Sequence, residues 1–225
     1  MEQGNVRGRR FDLVIFDNDG VVVDSEHLAG QAMSETLALS GCKLSPGECE
    51  ELFQGGTLAR DRQLVAERFS LVLPNDFEQS YTARLRALMA SSLRAVEGVA
   101  AVLDALELAG MPYCLASSGR RERVLFSLQA AGIASRFAER WWGAEDVSEG
   151  KPSPELFLLA AKSMGAVPRR CVVVEDAELG VLAAHAAGMT AYGYAARTPQ
   201  EKLKTADVIF TDMEDLPALL LQVQA

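Results

Sequence analysis

Three short apolar runs in this chain each stop abruptly at a polar group. Leu13-Val14-Ile15-Phe16 ends at Asp17, Tyr113-Cys114-Leu115-Ala116 at Ser117, and Cys171-Val172-Val173-Val174 at Glu175-Asp176. Thr190-Ala191-Tyr192-Gly193-Tyr194 and Asp207-Val208-Ile209-Phe210 read as two further strands. Runs that are apolar without alternation need cover on both faces, which is the condition of a parallel sheet flanked by helices. Helical patterns with legible ends lie between them. Val99, Val102, Leu103 and Leu106 form one apolar face closed by Gly110, and Val124, Leu125 and Leu128 form another before Gly132. Ser153 and Pro154 open a helix carrying Phe157, Ala161 and Met164. Thr211-x-x-Glu214 reads as a capping box for a C-terminal helix. Strands alternating with helices of this length predict an α/β fold, a doubly wound parallel sheet.

One stretch breaks the alternation. From about Glu26 to Ala95 the periodicity is helical throughout, with Leu28, Gln31, Ala32, Glu35 and Leu39 on one helix closed by Gly41. Ser45-Pro46-Gly47-Glu48 reads as a capping box, followed by a helix over 58–69 and a longer one through Tyr81, Leu85 and Leu88. The expected organisation is an α/β core of residues 11–25 and 96–225, an inserted helical module of 26–95, and a mobile tail of 1–10.

Charge and residue counts exclude several classes. A formal charge of −9 opposes any broad nucleic-acid or anionic-membrane surface. Two histidines, His27 and His185, cannot build a multi-histidine metal cluster. The cysteines Cys42, Cys49, Cys114 and Cys171 form no C-x-x-C pair and read as free thiols of a reducing, cytoplasmic compartment. No stretch reads as a signal peptide or membrane span. His185, among alanines, reads as a packing residue.

Ligands of an open parallel sheet bind beyond the carboxyl ends of its strands. Such a sheet delivers Asp17 with Asp19, Ser117, and Glu175-Asp176 to one edge. Taken singly, an aspartate after a strand is most often a turn former, and a serine there a helix cap. Three such endings converging on one edge favour chemistry instead. Four facing carboxylates need a counter-charge, and Mg2+ suits an all-oxygen site. In the turn Asp17-Asn18-Asp19-Gly20, one aspartate could stay ionised against the metal while the other keeps a proton as an acid.

Phe16-Asp17-Asn18-Asp19-Gly20-Val21-Val22-Val23-Asp24-Ser25-Glu26 resembles the first motif of the haloacid dehalogenase superfamily, in its sugar-phosphate phosphatase and β-phosphoglucomutase branch. Ala116-Ser117-Ser118, Lys151-Pro152-Ser153-Pro154-Glu155-Leu156-Phe157 and Val174-Glu175-Asp176-Ala177-Glu178-Leu179-Gly180 are similar to its later motifs, in order. The resemblance implies a Rossmann-like core with a helical cap, and a Mg2+-dependent phosphomonoester hydrolase working through an aspartyl-phosphate. Asp17 would be the nucleophile and Asp19 the general acid and base. Ser117, Ser118 and Lys151 would hold the phosphoryl oxygens. Asp17, the backbone carbonyl of Asp19, Asp176 and Glu175 would hold the metal, Glu175 directly or through water. Gly55, Gly56 and Thr57 would lie in a cap loop near the substrate.

The implied substrate is a small phosphorylated metabolite, a sugar phosphate or sugar-acid phosphate such as 6-phosphogluconate. Neither nucleic acid nor membrane is expected as partner, and the chain is expected as a monomer or weak homodimer. The alternatives are β-phosphoglucomutase and phosphoglycolate phosphatase activity. Mutases of this branch carry a cap histidine and arginine where this chain has Ala29 and Leu58. His27 is two residues early, about 200° around a helix, so hydrolysis is favoured. Arg60 and Arg62 are read as solvated in preference to anion contacts; Arg120 and Arg121 stay open between the two, with Arg120 the candidate to support the site from behind.

Overall fold

The computed structural model describes residues 9–53 and 58–221 and divides into two compact units, 1–22 with 95–225, and 23–94. The first unit is built on six parallel strands: β1 Leu13–Phe16, β2 Tyr113–Ala116, β3 Trp141–Trp142, β4 Cys171–Glu175, β5 Thr190–Tyr194 and β6 Val208–Phe210. They lie in the order β3-β2-β1-β4-β5-β6, so the chain reverses direction across the sheet at β1. Phe16 stands opposite Leu115 of β2 and Val174 of β4. That register sets Asp17, Ala116 and Glu175 level at one edge. Every residue of β1, β2 and β4 is buried, as their unbroken apolar character requires.

The 23–94 unit holds α1 Glu26–Leu39, α2 Pro46–Phe53, α3 Leu58–Phe69 and α4 Phe77–Ser92. Its own core gathers Met33, Leu37, Cys42, Cys49, Phe53, Val65, Leu73 and Phe77. The capping box forms, with Glu48 accepting from the Ser45 amide at 2.7 Å and Ser45 Oγ from the Glu48 amide at 3.3 Å. The helix expected here is α1, and its packing selects one face. Leu28, Ala32, Met33, Thr36 and Leu37 are buried, whereas Leu39 is 73% exposed and Gln31 and Glu35 bond one another. Arg84 of α4 then reaches Glu35 at 2.8 Å.

The sheet is covered by α5 Val99–Leu108, α6 Arg121–Ala130, α7 Ala134–Phe137, α8 Glu155–Ser163, α9 Glu178–Ala186 and α10 Leu216–Leu220. Leu13, Ile15, Cys114, Cys171 and Val173 share one apolar cluster with Phe157 and Ala161 of α8 and Val181 and Ala184 of α9. Phe16, Tyr113 and Phe137 meet edge to face in another. Each fully buried side chain of this size contributes roughly 2 kcal/mol.

Three local expectations are corrected. On α6 the buried positions are Val124, Ser127 and Leu128, with Leu125 turned outward. At the C-terminal end Asp212, not Thr211, caps the turn, its carboxylate accepting from the Glu214 amide at 2.9 Å. His185 is a surface residue whose Nε2 lies 3.0 Å from Asp207 Oδ2, not a packing one. Of the leading ten residues only Arg9 and Arg10 are described, and Arg9 donates to the carbonyls of Ala109 and Gly110. All four cysteines are free thiols and buried. No described helix is long and apolar enough to cross a membrane.

Candidate active site

Asp17 follows β1 directly, and its amide donates to the Val174 carbonyl at 3.0 Å, holding the turn against β4. Glu175 ends β4 and Asp176 begins the turn into α9. Acidic oxygens of Asp17, Glu175 and Asp176 lie within 4.8 Å of one another, all three residues buried. Lys151 enters from the loop before α8. Its ammonium donates to Asp17 Oδ1 at 2.6 Å, to Glu175 Oε1 at 2.5 Å and to the Ala116 carbonyl at 3.3 Å. The ring of buried Phe157 lies 4.8 Å beneath it, so the motif's aromatic residue packs against the cation.

Glu175 does two jobs. Its Oε1 takes Lys151, and its Oε2 accepts from the backbone amides of Asp176 and Ala177, each at 3.1 Å. Gly180 makes room for it, since a Cβ there would collide with the Glu175 carboxyl group. Gly20, at φ +78°, does the same for Asp176, whose carboxylate occupies the place of a Cβ.

Burial and the crowding of carboxylates around Lys151 set the electrostatics. Burial pushes the Asp17 carboxyl up, to about 7; Lys151 pulls it down, while Glu175 and Asp19 push it further up. Burial alone would lower the Lys151 ammonium, yet Asp17 and Glu175 outweigh it and hold it above its ordinary value. Lys151 pairs with Asp17 and Glu175, and Arg123 with Asp19. The clustered, all-oxygen donors of Asp17, Glu175 and Asp176 fit a divalent cation such as Mg2+.

The loop after β2 supplies the third side. Ser117 is buried, its amide bonds the Trp142 carbonyl, and its Oγ accepts from the Gly119 amide at 3.0 Å. A Cβ at Gly119 would stand 3.2 Å from Ser117 Oγ and 4.0 Å from Asp19 Oδ2, so serine and aspartate share one corner. Ser118 is exposed. Gly55, Gly56 and Thr57 lie outside the described residues.

Two residues of this corner were missed from the sequence. Arg123, on the first turn of α6, donates to Asp19 Oδ1 at 2.8 Å. Asn18, passed over between the two aspartates, is fully buried and donates to Ser127 Oγ at 3.1 Å. Arg120, by contrast, is exposed at the start of α6. Arg121 turns to Asp146 at 2.8 Å and lies over the Trp141 ring. The available signal was positional, because the first turn of a helix leaving a strand end stays near the sheet's carboxyl edge. Arg62 is not simply solvated, since it donates to the carbonyls of Leu73 and Pro74.

The acidic, lysine-bridged groups stand at the sheet's carboxyl edge, where open parallel sheets bind ligands, and residues 11–188 match the haloacid dehalogenase-like hydrolase family. The chain belongs to that family. It is 29% identical over 212 residues to 6-phosphogluconate phosphatase of Escherichia coli (strain K12), covering 93% of this chain and 95% of that protein. It is 30% identical over 203 residues to hexitol phosphatase A of the same organism, covering 90% and 91%. Its fold matches a HAD family hydrolase from Deinococcus radiodurans R1, solved with bound phosphate and sodium, at TM-score 0.83 and 33% identity, over 96% of this chain and all of the other.

Proposed function

We propose that this chain is a Mg2+-dependent phosphatase of small phosphomonoesters, sugar phosphates or sugar-acid phosphates, acting through a phosphorylated Asp17. The buried cluster of Asp17, Lys151, Glu175 and Asp176 carries the reading. Two phosphatase relatives that align along nine-tenths of the chain support it.

An Asp17 oxygen forms a bond to phosphorus as the bond from phosphorus to the ester oxygen breaks, the electron pair leaving with that oxygen. Asp19 delivers its proton there, so the alcohol departs neutral. Asp19 then takes a proton from water, the water oxygen bonds to phosphorus, and the electron pair of the acyl-phosphate bond returns to Asp17. The products are one alcohol and one phosphate. Lys151 and Ser117 hold the phosphoryl oxygens, and Ser118 lines the same loop. Lys151 also provides the local positive charge that a net −9 protein otherwise lacks for an anionic substrate. Asp17, the Asp19 carbonyl and Asp176 would hold the metal, with Glu175 fixing Lys151 and the turn behind them. When bound, the cation neutralises the clustered carboxylate charge and the phosphoryl group.

The helical unit, inserted just after the nucleophile's strand, serves as a cap that selects the substrate. Ala29 and Leu58 offer no side chain to seize a second phosphate, which favours water over a sugar hydroxyl as acceptor. The test is phosphate release from sugar phosphates, sugar-acid phosphates and phosphoglycolate, with and without Mg2+, alongside an assay for glucose 6-phosphate formed from β-glucose 1-phosphate. Release that needs Mg2+ is expected; isomerisation without release contradicts the reading.

A further inference from the structure

We propose that Arg123 is a positioning residue for Asp19, and that α6 fixes the geometry of the catalytic turn by holding two consecutive residues of it. Arg123 Nη2 donates to Asp19 Oδ1 at 2.8 Å. Four residues along α6, on the same face, Ser127 Oγ accepts from Asn18 Nδ2 at 3.1 Å and donates to the Val124 carbonyl at 2.8 Å. Asn18 is fully buried, and its Oδ1 has no hydrogen-bond partner among the described residues. The bond to Ser127 therefore orients an otherwise poorly satisfied amide.

The two oxygens of Asp19 are thereby given different surroundings. Oδ1 accepts from the guanidinium, and Oδ2 lies on the Gly119 side, 4.0 Å from where a Cβ of that residue would stand. An aspartate that hands a proton to the ester oxygen must present one oxygen to the phosphate loop and keep it there. Arg123 does this by occupying the other. The arginine side chain is 42% exposed, and a pair this open contributes little to folding. Its removal should leave the fold standing.

The inference rests on the proposed role of Asp19 as the acid for the departing alcohol, and a leaving-group comparison tests it. Nitrophenolate departs without a proton, whereas a sugar alkoxide needs one. For Arg123→Met, kcat/KM on hexose 6-phosphate should fall on the order of 10–100-fold, a fraction of the full worth of a general acid. On p-nitrophenyl phosphate it should fall less than about threefold, since that ester forgoes the acid. Arg123→Lys should recover part of the difference, and Ser127→Ala should show the same asymmetry more weakly. Equal loss on both esters would make Arg123 a plain phosphate contact and overturn the proposal, as would no loss on either. If the wild-type protein releases phosphate from neither ester, the phosphatase reading itself fails. Uniform loss in an active enzyme fails only this inference.

Discussion

At the scale of single residues, the site is a problem of charge. Asp17 is buried against one lysine and further carboxylates, so its ionised form depends on Lys151. Asp17→Asn should leave a folded protein whose phosphate release has fallen by at least about 10⁴-fold, the scale of losing a nucleophile. Lys151→Met should cost about 3–5 kcal/mol in unfolding free energy, because Asp17 and Glu175 then face each other without a cation. Denaturant titration would read it. Another buried acid lies in the helical unit. Burial pushes the Asp61 carboxyl up to about 6, with Arg60 pulling it back. Its folded form holds a proton that the unfolded form has released between about pH 4 and 6, so stability falls as pH rises through that window. Asp61→Asn should flatten this slope and stabilise the protein at pH 7 by about 1–3 kcal/mol. Melting curves across pH check both. Asp17 and the Glu175-Asp176 pair were legible because each ends an apolar strand. Arg123 and Asn18 were not, because their partners lie 104 and 109 residues away and only packing brings them together.

At the scale of elements, the loops after β2 and β3 hold one another. The Ala144 amide donates to the Gly119 carbonyl at 2.9 Å, and a Cβ at Gly143 would stand 2.9 Å from that same oxygen. Gly143→Ala should displace the Ser117–Gly119 loop. Because a misplacement of about 1 Å can cost 10²-fold in rate, activity should fall at least about tenfold. Phosphate-release kinetics beside a melting curve would separate this from global destabilisation, which should stay near 1 kcal/mol, the usual scale of one substitution. β3 escaped the sequence because two residues carry no periodicity. The long strands were plain for the opposite reason. On α1, Leu37 and Leu39 are both leucines two positions apart, and composition cannot say which one faces inward; the packing of the unit buries Leu37.

At the scale of the whole molecule, the fold collects groups that the chain scatters between residues 17 and 176 at one sheet edge. Within the core unit, the position of that edge was readable from strand endings alone; the chemistry it performs was read through the family motifs. A cation that binds only the folded state should stabilise it by about 2.7 kcal/mol at a hundred times its dissociation constant. Melting curves with Mg2+ and with EDTA should differ accordingly, and EDTA should abolish turnover reversibly. The most direct measurement is of the covalent step itself. The enzyme is mixed with a hexose phosphate and Mg2+, quenched in acid during turnover, digested and weighed by mass spectrometry. One phosphoryl group on the peptide carrying Asp17, absent from Asp17→Asn, is the predicted result; steady release of phosphate with that peptide never modified would contradict the account.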